Sequence, residues 1–260
     1  MDDEFWNNLF QHTMSLFIDP EVTRRLEAAQ IDKSWRMQRA QVIMNVGMPV
    51  QIRLNEEVKA VFRARFTGTG APTIGRAVSA DELGPIEGAQ LTPADANAGH
   101  ITLLFHKDAW FITVDLRYNR ARILEYLTTV DQFLGAARDS LAKSRLRPFV
   151  DALFVSMEHL ARCYLMFQPD ETLLKRTSHG FVKTRFNRDF HVGNVDRTYV
   201  TTLNRLFELR NPARYMTHDF WIAPWEAEEL LSAADRLRLE VEALLPPRYH
   251  MRWSLPEVVA

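Results

Sequence analysis

Apolar residues along this chain change their period near Arg117, and that change limits the fold more than any other feature. Ahead of it, apolar and polar residues alternate in short runs; beyond it, apolar residues recur every three to four positions over long stretches. Alternation places one side of an extended strand in a core, and the longer period places one stripe of a helix there. A chain that carries the two patterns in succession is read as an α+β protein.

The expected elements follow in order. Trp6, Leu9, Phe10, Met14 and Phe17 lie at helical spacing, so residues 3–17 form a short amphipathic helix. Asp19-Pro20-Glu21 reads as the start of a second helix running to Ala29, with a cap residue, proline at the first position and an acid in the first turn. Residues 41–44 and 50–54 read as strands about a turn at 47–49, and 58–66 as a half-buried strand whose polar face carries Lys59, Arg63 and Arg65. Residues 68–99, rich in Gly, Pro, Ala and acids, read as a surface loop. Their run GTGAPTIG lacks the spacing of a phosphate-cradling glycine motif. Residues 101–105 and 110–116 form a hairpin across His106-Lys107-Asp108. Residues 1–117 are thus a helix-plus-β-sheet domain, mostly antiparallel, whose role the sequence does not assign.

The second half reads as helices over 119–141, 149–167, 198–215 and 226–245, with a short one around 181–186. Asp196 is a cap, Pro148 and Pro224 are openers, and Pro246-Pro247 is a stop. Four long amphipathic helices with short links make a bundle over 118–246. Residues 247–260 are an irregular tail that Trp253 and Leu255 tie down.

With 260 residues and 47% apolar content, a core forms without staples. A net charge of -1 excludes a polycationic coat, so any nucleic-acid role needs a local basic patch. Cys163 stands alone, which excludes an intrachain disulfide and fits a reducing, cytoplasmic setting. The start MDDEFWNNLF lacks the order of a signal peptide, and no apolar run is long enough to span a membrane. No pattern calls for a metal or cofactor: Cys163 follows His159 by four residues, but no acid or second thiol stands at ligand spacing.

The densest chemistry lies in LFELRNPARYMTH, residues 206–218. An arginine fork and a carboxamide at Arg210 and Asn211 can grip phosphate oxygens together, and Arg214 extends that face by one turn. Pro212 costs of order 3 kcal/mol in a helix interior, so a kink or break is expected there. Lys175 to Arg188 is the most basic stretch, with Phe181 and Phe186 among the charges, and it supplies His179, Lys183 and Arg185 as phosphate-binding candidates. Glu158 and His159, adjacent on a core helix, are read as structural partners of the cluster.

Residues 120–245 resemble a HEPN domain in three segments: 149–164, with an acid at Glu158; 178–186, SHGFVKTRF; and 206–215, LFELRNPARY. The resemblance implies a four-to-five-helix bundle that dimerises and cleaves RNA in the dimer cleft without a metal. It also implies a place in prokaryotic antiviral defence or toxin–antitoxin systems. In catalytic members an arginine stabilises phosphate charge, and a histidine after four to six intervening residues moves a proton to or from the 2′-hydroxyl. Arg210 and Asn211 match. Tyr215 stands where that histidine is expected, and His218 lies eight residues after Arg210. The implied catalytic set is Arg210, Asn211, Tyr215 and His218, with Arg214, Lys183, Arg185 and His179 on RNA. The expected partners are RNA, a second copy through the bundle, and a protein on the N-terminal unit. The alternative, drawn from Tyr215 in place of histidine, is a non-catalytic dimerising interaction module or small-ligand-binding module.

Overall fold

A computed structural model describes residues 3–70, 73–176, 178–216, 220–245 and 252–253. The chain divides between Arg117 and Tyr118 into two units, and Arg252–Trp253 belongs with the first. The architecture is α+β, a small antiparallel sheet in one unit and a helical bundle in the other.

In the first unit, α1 (Asp3–Thr13) passes through a π turn at Met14–Ile18 into α2 (Asp19–Glu27). The fresh helix start expected at Asp19 is not there. Ile18 is itself helical, and the Asp19 N–H bonds to the Met14 carbonyl five residues back. Pro20 explains the widening: it has no N–H, and in a regular helix its ring would strike the carbonyl of Leu16.

The strands are β1 (Arg39–Met44), β2 (Gln51–Leu54), β3 (Ala60–Phe66), β4 (Leu83–Leu91), β5 (Gly99–His106), β6 (Ala109–Asp115) and β7 (Arg252–Trp253). Five of them form an antiparallel sheet in the order β2-β1-β5-β6-β7. The expected hairpin at 106–108 is present: Lys107 and Asp108 both take positive φ, the two-residue turn that suits the twist of paired strands. Trp6, Phe10 and Ile18 pack in one core with Val42, Leu103 and Ile112.

Residues 68–99 are not a loop throughout. β4 pairs antiparallel with β3, from Ala60 opposite Leu91 to Phe66 opposite Leu83. Gly84, Pro85 and Gly88 interrupt the alternation that marks a strand. Gly84 is required by contact: a Cβ there would sit 3.0 Å from the Arg65 carbonyl oxygen and 2.9 Å from Thr67 Cγ2.

The second unit contains α3 (Arg120–Ala142), α4 (Leu146–Met166), α5 (Glu171–Lys175), α6 (His179–His191), α7 (Arg197–Arg214) and α8 (Pro224–Leu244). Among the 21 residues of α4, 13 are buried, which makes it the central helix. Its Phe149, Leu153, Phe154 and Met157 meet Ile123, Leu127 and Val130 of α3 and Leu203 and Leu206 of α7 in one apolar core. Each such side chain, fully buried, stabilises by about 1.5–3 kcal/mol. The helix expected at 181–186 extends to 13 residues. The short α5, not expected from the sequence, starts where Asp170 Oδ1 accepts the Thr172 N–H at 2.9 Å. Asp196 caps α7 as expected, through the Thr198 N–H at 2.7 Å.

α7 does not break at Pro212 but runs through to Arg214. Proline falls in the last turn, so the bond forfeited to the Glu208 carbonyl leaves little helix beyond it to displace. Arg147 Nη1 donates to the carbonyls of Pro212 at 2.5 Å and Ala213 at 3.3 Å, placing a cation at the helix C-terminus. No helix among the described residues is long and apolar enough to cross a membrane.

Candidate functional site

Three helical pairs converge in the second unit. α4 brings Phe154 and Glu158 four residues apart, α6 brings His179 and Lys183 four apart, and α7 brings Phe207 and Arg210 three apart. The Arg210 guanidinium carbon lies 4.6 Å from the Phe154 ring centroid. His179 meets the same ring edge-on at 5.6 Å, and Phe207 meets it at 6.1 Å. Lys183 Nζ stands 4.3 Å from the Phe207 centroid. Two rings thus carry two cations and an imidazole on one side of the bundle.

The charges in this cluster are unequally satisfied. Glu158 is buried, and its Oε2 meets His179 Nδ1 at 2.5 Å. Arg210 has no carboxylate and no hydrogen bond among the described residues, and its Nε is buried without a partner. A guanidinium left without a counter-ion beside solvent is a standing site for an anion.

A linker clamp stands ahead of His179. The buried Arg162 donates through Nη1 to the carbonyls of Leu173 at 3.0 Å and Arg176 at 2.8 Å. Those two bonds hold the end of α5 against α4.

Beyond Lys183 a groove of about 660 Å³ runs between α6 and α7, lined among others by Asn187, Arg188, His191, Asn204 and Glu208. Asn187 and Asn204 exchange amide hydrogen bonds at 3.1 and 2.9 Å across it. Lys183, Arg188 and His191 give it a basic wall.

The residues singled out from the sequence separate on inspection. Arg210, His179, Lys183 and Glu158 come together. Asn211, one position round the helix from Arg210, is exposed and makes no side-chain hydrogen bond among the described residues. Tyr215 caps α7 and is 71% exposed. Arg214 faces Asp151 at 3.3 Å, and Arg185 faces Asp170 at 3.1 Å, so both are already in ion pairs. His159 turns toward α3, against Tyr126 at 5.4 Å and Phe133 at 6.5 Å, where burial pushes its imidazole below the usual value. His218 lies outside the described residues. Cys163 is buried, and its thiol is pushed up to about 12 by burial, which makes it a core group. No group of three or more acids, histidines or cysteines able to hold a metal occurs among the described residues.

Phe154 and Phe207 stand in the apolar stripes of α4 and α7. Their spacing to Glu158 and Arg210 is the signal that would have placed them in the site. Comparison with known proteins adds no label to this cluster: no protein-family model and no curated protein matches the chain.

Proposed function

We propose that the helical unit is a HEPN-like RNA-binding module that cleaves RNA without a metal ion, with Arg210 holding the scissile phosphate. One observation carries this reading: Arg210 has no ionic partner among the described residues, rests on Phe154 and adjoins Glu158–His179 and Lys183. Phosphate charge developing in a transition state is stabilised best by a fixed donor fork that needs no rearrangement. The resemblance to the HEPN signature at 206–215 supplies the substrate class, and with it a cytoplasmic place in defence or toxin–antitoxin systems. The test is cleavage of structured and single-stranded RNA by the full chain in chelator. Cutting by the wild type and none by Arg210→Ala supports the reading; no cutting and no salt-dependent RNA binding overturns it.

A second reading, a non-catalytic dimerising module, draws on a different observation. Tyr215, Met216, Trp221 and Trp225 are all exposed about the link between α7 and α8. Large apolar side chains grouped in sequence on a surface mark an association site. Sedimentation of the wild type against Trp221→Ser/Trp225→Ser tests it, with a monomeric variant as the expected result.

A further inference from the structure

We propose that His179, held by Glu158, is the proton-transfer residue of this site, in place of a histidine following Arg210 on its own helix. The inference rests on the ribonuclease reading above and adds a second helix to the chemistry.

The Glu158 side chain is 7% exposed, while the His179 side chain joined to it at 2.5 Å is 46% exposed. A buried carboxylate tied to an outward-facing imidazole is the arrangement that orients a general base. The acid accepts one ring N–H, fixes the tautomer and leaves the other nitrogen for substrate. With Nδ1–H given to Glu158, the neutral ring carries its lone pair on Nε2. A purely structural pair has no need of an exposed imidazole, nor of an unpaired arginine on the same ring. His179 and Arg210 share Phe154 as neighbour, one edge-on and one across its face. Both groups border one ring, and the proposal places a phosphodiester held by Arg210 beside His179. Tyr215, on the far turn of α7, does not touch that ring.

The step balances without a co-reactant. Nε2 of His179 takes the proton of the 2′-hydroxyl, and the freed oxygen attacks the adjacent phosphorus. The bond from phosphorus to the 5′-oxygen breaks, and that oxygen takes a proton from water. The products are a 2′,3′-cyclic phosphate and a 5′-hydroxyl, and the imidazolium returns its proton to solvent. Arg210 holds the non-bridging oxygens, and Glu158 stabilises the imidazolium as it forms.

The experiment measures kcat/KM of the full chain on a single-stranded oligoribonucleotide in chelator, from acid to neutral pH. Charged groups on the elements packed about His179 include Glu158, His159 and Arg162 of α4, Arg176 ahead of α6, Lys183 of α6, and Glu208 and Arg210 of α7. The pH profile is therefore read in variants that change only the dyad. His179→Ala should lose about 10²–10⁴-fold in rate. It should also lose the acid limb of the profile and recover activity when imidazole is added. Glu158→Gln should keep the fold and bind RNA while slowing the reaction at least tenfold. Wild-type rate in His179→Ala, or a slow His179→Ala that keeps the acid limb and ignores imidazole, overturns the assignment and leaves Arg210 and the ribonuclease reading standing. A wild type that cuts no RNA overturns both.

Discussion

Arg210 lies across the face of Phe154 with no carboxylate to neutralise it among the described residues, although Glu158 sits four residues along the same helix as that ring. The carboxylate has gone to His179 instead. That allocation leaves an arginine free for an external anion.

Arg210→Ala should remove RNA cleavage by about 10²–10³-fold, the usual effect of deleting one charge-stabilising donor. Its effect on stability should be small, because the guanidinium makes a ring contact worth about 0.5–1 kcal/mol and no ion pair. Urea unfolding alongside kinetics separates the two. A variant that loses several kcal/mol would mark Arg210 as a structural residue.

The Glu158–His179 pair should behave asymmetrically. Removing His179 alone leaves the buried Glu158 carboxylate without its partner and should destabilise by about 1–2 kcal/mol, less than breaking a fully buried pair, because the His179 side chain is 46% exposed. Glu158→Leu with His179→Ala should regain most of that loss, since neither charge remains to be desolvated. Additive losses in the double-mutant cycle would show that the pair is not coupled.

Cys163 should be inert to thiol reagents in the folded chain and react at once on denaturation, since burial holds its thiol at about 12 against an ordinary 9.0. The sign for stability follows. Above pH 9.0 the unfolded chain releases this proton and the folded chain does not, so stability falls as pH rises further. Cys163→Ala should remove that alkaline decline, read from Tm across the range.

Hydrogen bonds from Arg24 and Arg25 hold the Glu21 carboxyl at about 2, against an ordinary 4.5. Its contribution is therefore complete above pH 4.5 and is lost as pH falls toward 2. Arg25 also donates to Glu57 at 2.8 and 2.9 Å, which links α2 to the turn after β2. The Tm gap between wild type and Glu21→Gln should shrink steadily over that acid window; a constant gap would show that the carboxylate charge does no work.

The helical half was legible because its apolar stripes are long. Ile123, Leu127, Val130 and Leu134 repeat without interruption, and the long helices lie close to where that repeat places them. β4 was hidden because Gly84, Pro85 and Gly88 break the alternation on which strand reading depends. The π turn was hidden because Asp-Pro-Glu marks a helix start in most contexts, and only packing decides otherwise. In the site, Arg210 and Glu158 were visible as residue types. The route from Glu158 to His179 was not, because it depends on Arg162 drawing the linker inward, a contact between positions 162 and 176 with no sequence periodicity.

The widened turn at Met14–Ile18 fixes the phase of the first helix. In a regular helix Ile18 would lie about 120° round from Trp6. Both are fully buried in one core, so the extra residue of the π turn restores the alignment. Removing one residue from 14–18 would bring the same side chains into line in an ordinary helix, but would leave Pro20 to collide with the carbonyl before it. The segment therefore tolerates shortening only when Pro20 is exchanged as well, and a single added residue rotates the helix out of its socket.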